Sequence, residues 1–102
     1  MAGLGCGTDG PRTVYNADPA RKIPAIIHAA DAHDTSVIPE LVKNLDSDDP
    51  AIRFYANRGL RDLTGQDFGY RYYEDETHRG PAVLRWKQWL ANSRPAAVQI
   101  GK

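Results

Sequence analysis

The central segment, residues 36–65, constrains the fold of this chain more than any other part of the sequence. In its first half, apolar residues recur at the spacing of one helix face, at Val37, Ile38, Leu41, Val42 and Leu45. Its second half carries another such stripe, at Ile52, Ala56, Leu60 and Leu63. A short polar run separates the two halves. The pattern predicts two amphipathic helices that each bury one face.

Capping residues mark the ends of these helices. Asp49 precedes Pro50, and this pair suits a helix start, because the carboxylate accepts hydrogen bonds from free N–H groups while proline has no N–H to leave unpaired. Gly65 can take the left-handed conformation that ends many helices. We therefore expect helices at about 36–46 and 50–63.

Two further helices are expected on either side. Helical spacing of isoleucines and alanines predicts a first helix at about 21–32, and we place its start after Asp18 because Pro24 would otherwise lie beyond the first turn. A last helix, at about 80–92, carries Trp86 and Trp89 on one apolar stripe.

The fold class is therefore all-α, with four main helices in one domain at 18–92. A chain of 102 residues suits a single domain with a modest core. Residues 1–17 are rich in glycine and residues 93–102 include Pro95, so we expect both segments to be flexible tails, with Val14 and Tyr15 as the residues of the first that could pack back on the core.

The hairpin resembles a HEAT repeat. The resemblance lies in residues 37–45, the acidic turn at 46–49, and the run Asp49-Pro50-Ala51-Ile52-Arg53 followed by Ala56 and Leu60. It is similar to the short bacterial HEAT-like repeats named for their occurrence in phycobilisome lyases. The resemblance implies a short α-solenoid-like bundle with one clear HEAT hairpin, closed by the tryptophan helix.

Several residues of this pattern have structural roles. Asp49 is expected to cap its helix, and Arg53 to reach back to Asp49 or across to the turn of a neighbouring unit. Gly59 leaves space for close helix approach. We assign to structure six residues in all: Asp49, Arg53, Gly59, Gly65, Trp86 and Trp89.

An aromatic segment at 66–74 is the candidate partner-binding site. Tyrosine, tryptophan and arginine dominate binding hot spots in protein interfaces. The candidate residues are Phe54, Phe68, Tyr70, Arg71, Tyr72 and Tyr73. Two interpretations remain open at this stage, because the segment could form a recognition surface or could fold over the last helix and fill the core.

The function expected from these features is a non-catalytic protein-interaction or scaffolding module of HEAT-repeat type. Its partner would be another protein or a second copy of the chain. We find no phosphate loop, nucleophile motif, cofactor motif or metal-ligand pattern, and the start of a calcium loop at 46–48 lacks the later glycine and glutamate. The chain is therefore not expected to be an enzyme or to need a cofactor.

The alternative function is a nucleic-acid-binding helical repeat that uses basic and aromatic surface residues. Its candidate basic stripe comprises Arg12, Arg21, Lys22, Arg53, Arg58, Arg61, Arg71, Arg79, Arg85 and Lys87. Thirteen basic residues balance thirteen acidic ones, so the formal net charge of 0 argues against this alternative.

The single cysteine, Cys6, follows small residues as in the end of a bacterial lipoprotein signal, but the charged and apolar parts of such a signal are missing. Two interpretations stand: a lipidated cell-envelope protein whose upstream signal was removed, or a cytoplasmic protein with an incidental cysteine. Contact with a membrane is expected only through lipidation of Cys6.

Overall fold

The computed structural model describes residues 13–99 of the chain, with side chains described up to residue 93. This range contains no β-strand and four α-helices: α1 (Pro19–Asp31), α2 (Ile38–Asn44), α3 (Pro50–Thr64) and α4 (Glu76–Gln99). The all-α prediction is confirmed for this range. None of its helices has the length and apolar character needed to cross a membrane. Cys6 and Arg12 lie outside the described residues.

Helix α1 begins earlier than the sequence predicts, at Pro19. The side chain of Asp18 accepts a hydrogen bond from the Ala20 N–H at 3.0 Å, and the Asp18 carbonyl accepts from the next turn. Pro24 consequently lies inside the helix. Proline has no N–H, so Pro24 cannot donate to the carbonyl of Ala20 four residues earlier. The helix tolerates this loss because Pro24 and Ala20 are both exposed, and water can donate to the Ala20 carbonyl instead.

A Schellman motif ends α1. The His33 N–H donates to the Ala30 carbonyl at 3.1 Å, and the Asp34 N–H donates to the Ala29 carbonyl at 2.9 Å. This geometry places His33 in the left-handed region, with φ of 55°. A histidine thus holds a position that glycine usually fills.

The second predicted helix, 36–46, is divided into two parts. A 3₁₀ turn at Thr35–Val37 leads into α2, and Asp34 caps that turn by accepting from the Ser36 N–H at 3.0 Å. Pro39 lies in the first turn of α2, where its missing N–H costs little. Helix α3 has the predicted start, since Asp49 accepts from the Ala51 N–H at 2.8 Å.

Helix α4 is longer at both ends than the predicted 80–92. Asp75 starts it by accepting from the His78 N–H at 2.9 Å, and the His78 ring lies 2.7 Å from the same carboxylate oxygen. These hydrogen bonds lower the pKa of Asp75 and raise that of His78. The helical backbone continues to Gln99, through the segment predicted to be a tail, where alanines favour helix.

One core joins all four helices. Its largest fully buried side chains are Ile26, Leu41, Leu45, Leu60 and Trp86, one or more from each helix or from the turn that follows α2. Burying an apolar side chain of this size stabilises a fold by roughly 1.5–3 kcal/mol. The last helix therefore supplies the core with its largest side chain.

Gly59 allows α3 to approach both α1 and α2 closely. A Cβ atom added at this position would lie 3.1 Å from the Leu41 side chain and 3.3 Å from that of Ile26. The expectation that Gly59 permits close helix packing agrees with this geometry.

The described part of the predicted N-terminal tail is packed rather than loose. Val14 is 3% exposed and belongs to the core cluster. The buried Lys22 ammonium donates to the Val14 carbonyl and lies 3.5 Å from the Glu40 carboxylate. Residues 13–17 thus join the domain because a lysine of α1 binds their backbone.

Candidate functional site

The segment between α3 and α4, residues 65–75, is the aromatic loop. It begins at Gly65, which ends α3 in the left-handed conformation with φ of 77°. A tight turn follows, in which Phe68 and Gly69 have φ of 59° and 74° and the Tyr70 N–H donates to the Asp67 carbonyl at 3.3 Å. A positive φ is uncommon for phenylalanine, so the surrounding contacts must hold this turn.

Arg53 of α3 holds the middle of the loop. Its Nε donates to the Tyr72 carbonyl at 2.9 Å, and its Nη1 donates to the Ser47 carbonyl at 2.7 Å. The side chain therefore joins the turn between α2 and α3 to the aromatic loop. The sequence predicts a structural role for Arg53 toward Asp49 or toward a turn, and the contacts observed are to two backbone carbonyls.

Two arginines of α4 hold the ends of the loop in the same way. Arg85 Nη1 donates to the Phe68 carbonyl at 2.9 Å, and Arg79 Nη1 donates to the Glu74 carbonyl. With Arg53, three guanidinium groups from two helices bind the loop backbone. Hydrogen bonds from charged donors are stronger than neutral ones, so the loop is well fixed before any partner arrives.

Two of the six candidate binding residues point into the protein. Tyr70 is 4% exposed and donates from its hydroxyl to the Leu45 carbonyl at 2.8 Å. Burial raises the pKa of Tyr70 from 10.0 to about 12. Phe68 packs edge-on against Trp86, with ring centroids 4.8 Å apart. These two residues fill the core under the loop.

The other four candidates lie at the surface. Tyr73 is 66% exposed and Phe54 is 36% exposed, while Tyr72 is half-buried between them. The ring centroids of Phe54 and Tyr72 are 5.1 Å apart, and those of Tyr72 and Tyr73 are 5.4 Å apart. Arg71 is exposed beside them. The structure thus combines the two interpretations of the segment, with one half packed and the other half open.

The open half borders a groove with a volume of about 730 Å³. One wall is a stripe of α3 that includes Phe54, Asn57, Arg58 and Arg61, which share one side of the helix. The aromatic loop forms the other wall. The part of the lining from Phe54 to Gly65, the C-cap of α3, rises about 16 Å along the helix axis. We call this feature the α3–loop groove.

The charges of the groove are mixed, with a cationic excess. Arg58, Arg61 and Arg71 line it together with Asp62 and Asp67. The exposed Arg71 lies 3.9 Å from the half-buried Glu74 carboxylate, and no ion pair engages Arg58 or Arg61 within the described residues. Along α3, Arg58 follows Phe54 by about one turn and Arg61 follows it by about two turns, so Arg61 lies nearer the end of the helix.

Five of the remaining basic residues of the candidate stripe have other contacts, while Arg21 is exposed on α1 and does not line the groove. Lys22 is buried beside Glu40, and Lys87 lies 3.4 Å from the Asp46 carboxylate. Arg53, Arg79 and Arg85 bind the loop backbone, as described above. Only part of the stripe, at Arg58, Arg61 and Arg71, therefore faces the groove.

Sequence reasoning did not single out Asn57, Arg58 and Arg61 as one wall of a site. A signal was present, because positions 54, 57, 58, 61 and 65 repeat at the helical interval on a side of α3 that the apolar stripe does not use. Apolar periodicity identifies only the core face of a helix, so it does not reveal a face that mixes aromatic, polar and charged residues.

The groove walls present aromatic rings, guanidinium groups and carboxylates. Among the described residues no group of three histidine, cysteine, aspartate or glutamate side chains could hold a metal ion. Comparison of the chain with models of protein families, with curated proteins and with solved structures finds no match.

Proposed function

We propose that this chain is a non-catalytic interaction module of HEAT type that binds a segment of another protein in the α3–loop groove. The observation that carries the proposal is the fixed loop that holds Tyr73 open to solvent and Tyr72 half-buried beside Phe54. A surface that is ordered before binding loses less conformational entropy when a partner arrives.

Three further features support this proposal. The groove places aromatic and arginine side chains together, which is the composition of binding hot spots. Helices α2 and α3 pack on each other across the short turn that resembles a HEAT hairpin. The exposed guanidinium groups of Arg58 and Arg61 also line the groove, and no ion pair within the described residues engages them.

The nucleic-acid alternative has weaker support. Asp62 and Asp67 share the groove with the arginines and would repel a chain of phosphates. Phe54 and Tyr72 also contact each other edge-on, so each ring is already partly engaged. We therefore favour a protein partner.

Quantitative affinity capture tests the proposal with a matched pair of variants. The wild-type chain and the variants Tyr73→Ala and Tyr15→Ala are immobilised, and extracts of the cells that express the protein are passed over each. Tyr15 is 62% exposed and Tyr73 is 66% exposed, but Tyr15 lies in the N-terminal segment and does not line the groove. We expect proteins that the wild type and Tyr15→Ala retain and that Tyr73→Ala loses.

Equal capture by all three chains would contradict the groove assignment. Light scattering after size exclusion addresses self-association in the same experiment. If the wild type is a dimer and Tyr73→Ala is still a dimer, the interaction uses a surface other than the groove, and the proposal as stated is overturned.

A further inference from the structure

We infer that the occupant of the α3–loop groove is a short, extended, acidic peptide segment that carries an apolar side chain about three residues before or after its carboxylates. This inference rests on the proposed function and adds the chemistry of the partner.

The first argument is charge complementarity. Arg58 and Arg61 are one helical turn apart on the groove side of α3, so their guanidinium groups can converge on one carboxylate or on two adjacent ones. No ion pair within the described residues competes for either group. Arg71, on the opposite wall, has only an exposed pairing to Glu74 at 3.9 Å. Such surface pairs contribute little, so Arg71 is free to turn toward an anion.

Opposing charges limit how much anion the groove accepts. Asp62 and Asp67 leave a formal excess of one positive charge along the groove (three arginines against two aspartates). The C-terminal end of α3 also carries the negative pole of its helix dipole, although that effect is confined to the last turn. One or two carboxylates therefore fit the groove, while a polyanion would meet repulsion.

The second argument is the separation of apolar and cationic zones. Phe54, Tyr72 and Tyr73 form the aromatic end, and the step from Phe54 to Arg61 along α3 rises about 10 Å. An extended peptide advances about 3.3 Å per residue, so about three residues cover that distance. An apolar side chain at the aromatic end then places a carboxylate at the arginines about three positions away.

The third argument is length. The part of α3 and its C-cap that lines the groove rises about 16 Å, which matches about five residues of an extended chain. Its walls, a helix and a loop whose backbone is already bound by arginines, leave no long unpaired strand edge for a partner strand to join. Side chains, and not a continuous backbone ladder, must therefore supply most of the recognition.

The experiment uses a capped hexapeptide, Gly-Leu-Ser-Ser-Asp-Asp, titrated into the isotope-labelled full chain while backbone amide shifts are followed by NMR. The matched peptides replace both aspartates by asparagine, or the leucine by serine. We expect shifts confined to residues 54–73 and an affinity for the acidic peptide at least about tenfold above that for either matched peptide. The difference should shrink as salt is added, because the arginines are exposed.

A variant tests the same point from the protein side. In Arg58→Gln/Arg61→Gln the acidic peptide should bind about tenfold more weakly, whereas Arg21→Gln/Lys43→Gln, which removes the same charge from exposed positions on α1 and α2, should bind as the wild type does. Circular dichroism checks that each variant is folded. The peptide comparison on the wild type needs no variant and stands if one fails to fold.

Three results would overturn the inference. The acidic and asparagine peptides could bind equally, the shifts could lie away from the groove, or a thymidine decanucleotide could bind more tightly than the acidic peptide. Capture that depends on Tyr73 but not on Arg58 and Arg61 would leave the proposed function standing and reject the acidic partner. Capture that depends neither on Tyr73 nor on Arg58 and Arg61 would reject both the proposed function and the acidic partner.

Discussion

At the residue scale, Arg53 is the side chain that joins the aromatic loop to the turn between α2 and α3. It is 8% exposed and donates to the carbonyls of Tyr72 and Ser47, which belong to different connections of the chain. Arg53→Met leaves both carbonyls without this donor, so the free energy of unfolding should fall by about 2–4 kcal/mol. Lysine can serve one of the two carbonyls, and Arg53→Lys should lose about half as much.

Urea denaturation followed by circular dichroism measures both changes. The control is Arg61→Met on the same helix, where an exposed side chain without an ion pair should change stability by less than about 0.5 kcal/mol. If Arg53→Lys proves as stable as the wild type, the two-carbonyl geometry is not what stabilises the loop.

Tyr70 should make the free energy of unfolding fall as the pH rises above 10. Burial raises its pKa to about 12, above the ordinary value of 10.0, so the neutral phenol is favoured in the folded state. Its contribution to stability is complete below pH 10 and is lost as the pH rises toward 12, by about 2–3 kcal/mol over that interval. The Tyr70→Phe variant cannot lose this contribution, although at neutral pH it lacks the hydrogen bond to Leu45 and should be about 1–2 kcal/mol less stable.

The stability advantage of the wild type over Tyr70→Phe should therefore shrink as the pH rises from 10 and should reverse as the pH approaches 12, because the expected loss exceeds the initial difference. Chemical denaturation at several pH values measures it, with Tyr73→Phe, an exposed site, as the control that keeps the wild-type slope. A gap that stays constant across this range would mean that the Tyr70 phenol titrates alike in the folded and unfolded chain.

At the element scale, two helix ends adopt the same left-handed conformation with different residues. Gly65 ends α3 at φ of 77° with no atom within 4 Å of an added Cβ, and His33 follows α1 at φ of 55°. A side chain costs about 1 kcal/mol in this conformation. Gly65→Ala should therefore lower the melting temperature and His33→Gly should raise it. Thermal unfolding measures both melting temperatures. If the two substitutions shift the melting temperature in the same direction, backbone strain is not the cause of the shifts.

Prediction from the sequence is most accurate where capping residues mark both ends of a helix. Helix α3 was placed within a residue of its observed ends because Asp49, Pro50 and Gly65 mark both of them. The sequence predicts later starts for α1 and α4 than the structure has, because a proline beyond the first turn disfavours helical residues before it. Both helices keep these prolines, Pro24 and Pro81, at exposed positions.

The binding surface was harder to predict than the helices. Phe68, Tyr70, Tyr72 and Tyr73 are chemically alike, and nothing local shows that the first two face inward. Their directions follow from contacts with distant residues, such as Tyr70 with Leu45 and Phe68 with Trp86. The walls of the groove likewise come together only when α3 and the loop are both in place.

At the scale of the whole molecule, the hairpin of α2 and α3 does not have a core of its own. Gly59 of the hairpin packs against Ile26 of α1, and its buried leucines share a cluster with Trp86 of α4. Helix α2 has seven residues, well below the length at which an isolated helix is stable in water. The hairpin is thus a part of one cooperative unit.

A peptide of residues 36–65 should accordingly be largely unfolded by circular dichroism, whereas the full chain should unfold in a single transition seen alike by far-ultraviolet signal and tryptophan fluorescence. Trp86→Ala removes a fully buried side chain from α4 and should destabilise the whole chain by about 3–5 kcal/mol, including the distant α1. Native-like helix content in the isolated peptide, or separate transitions for the two probes, would show instead that the hairpin is an independent repeat to which the other helices are added.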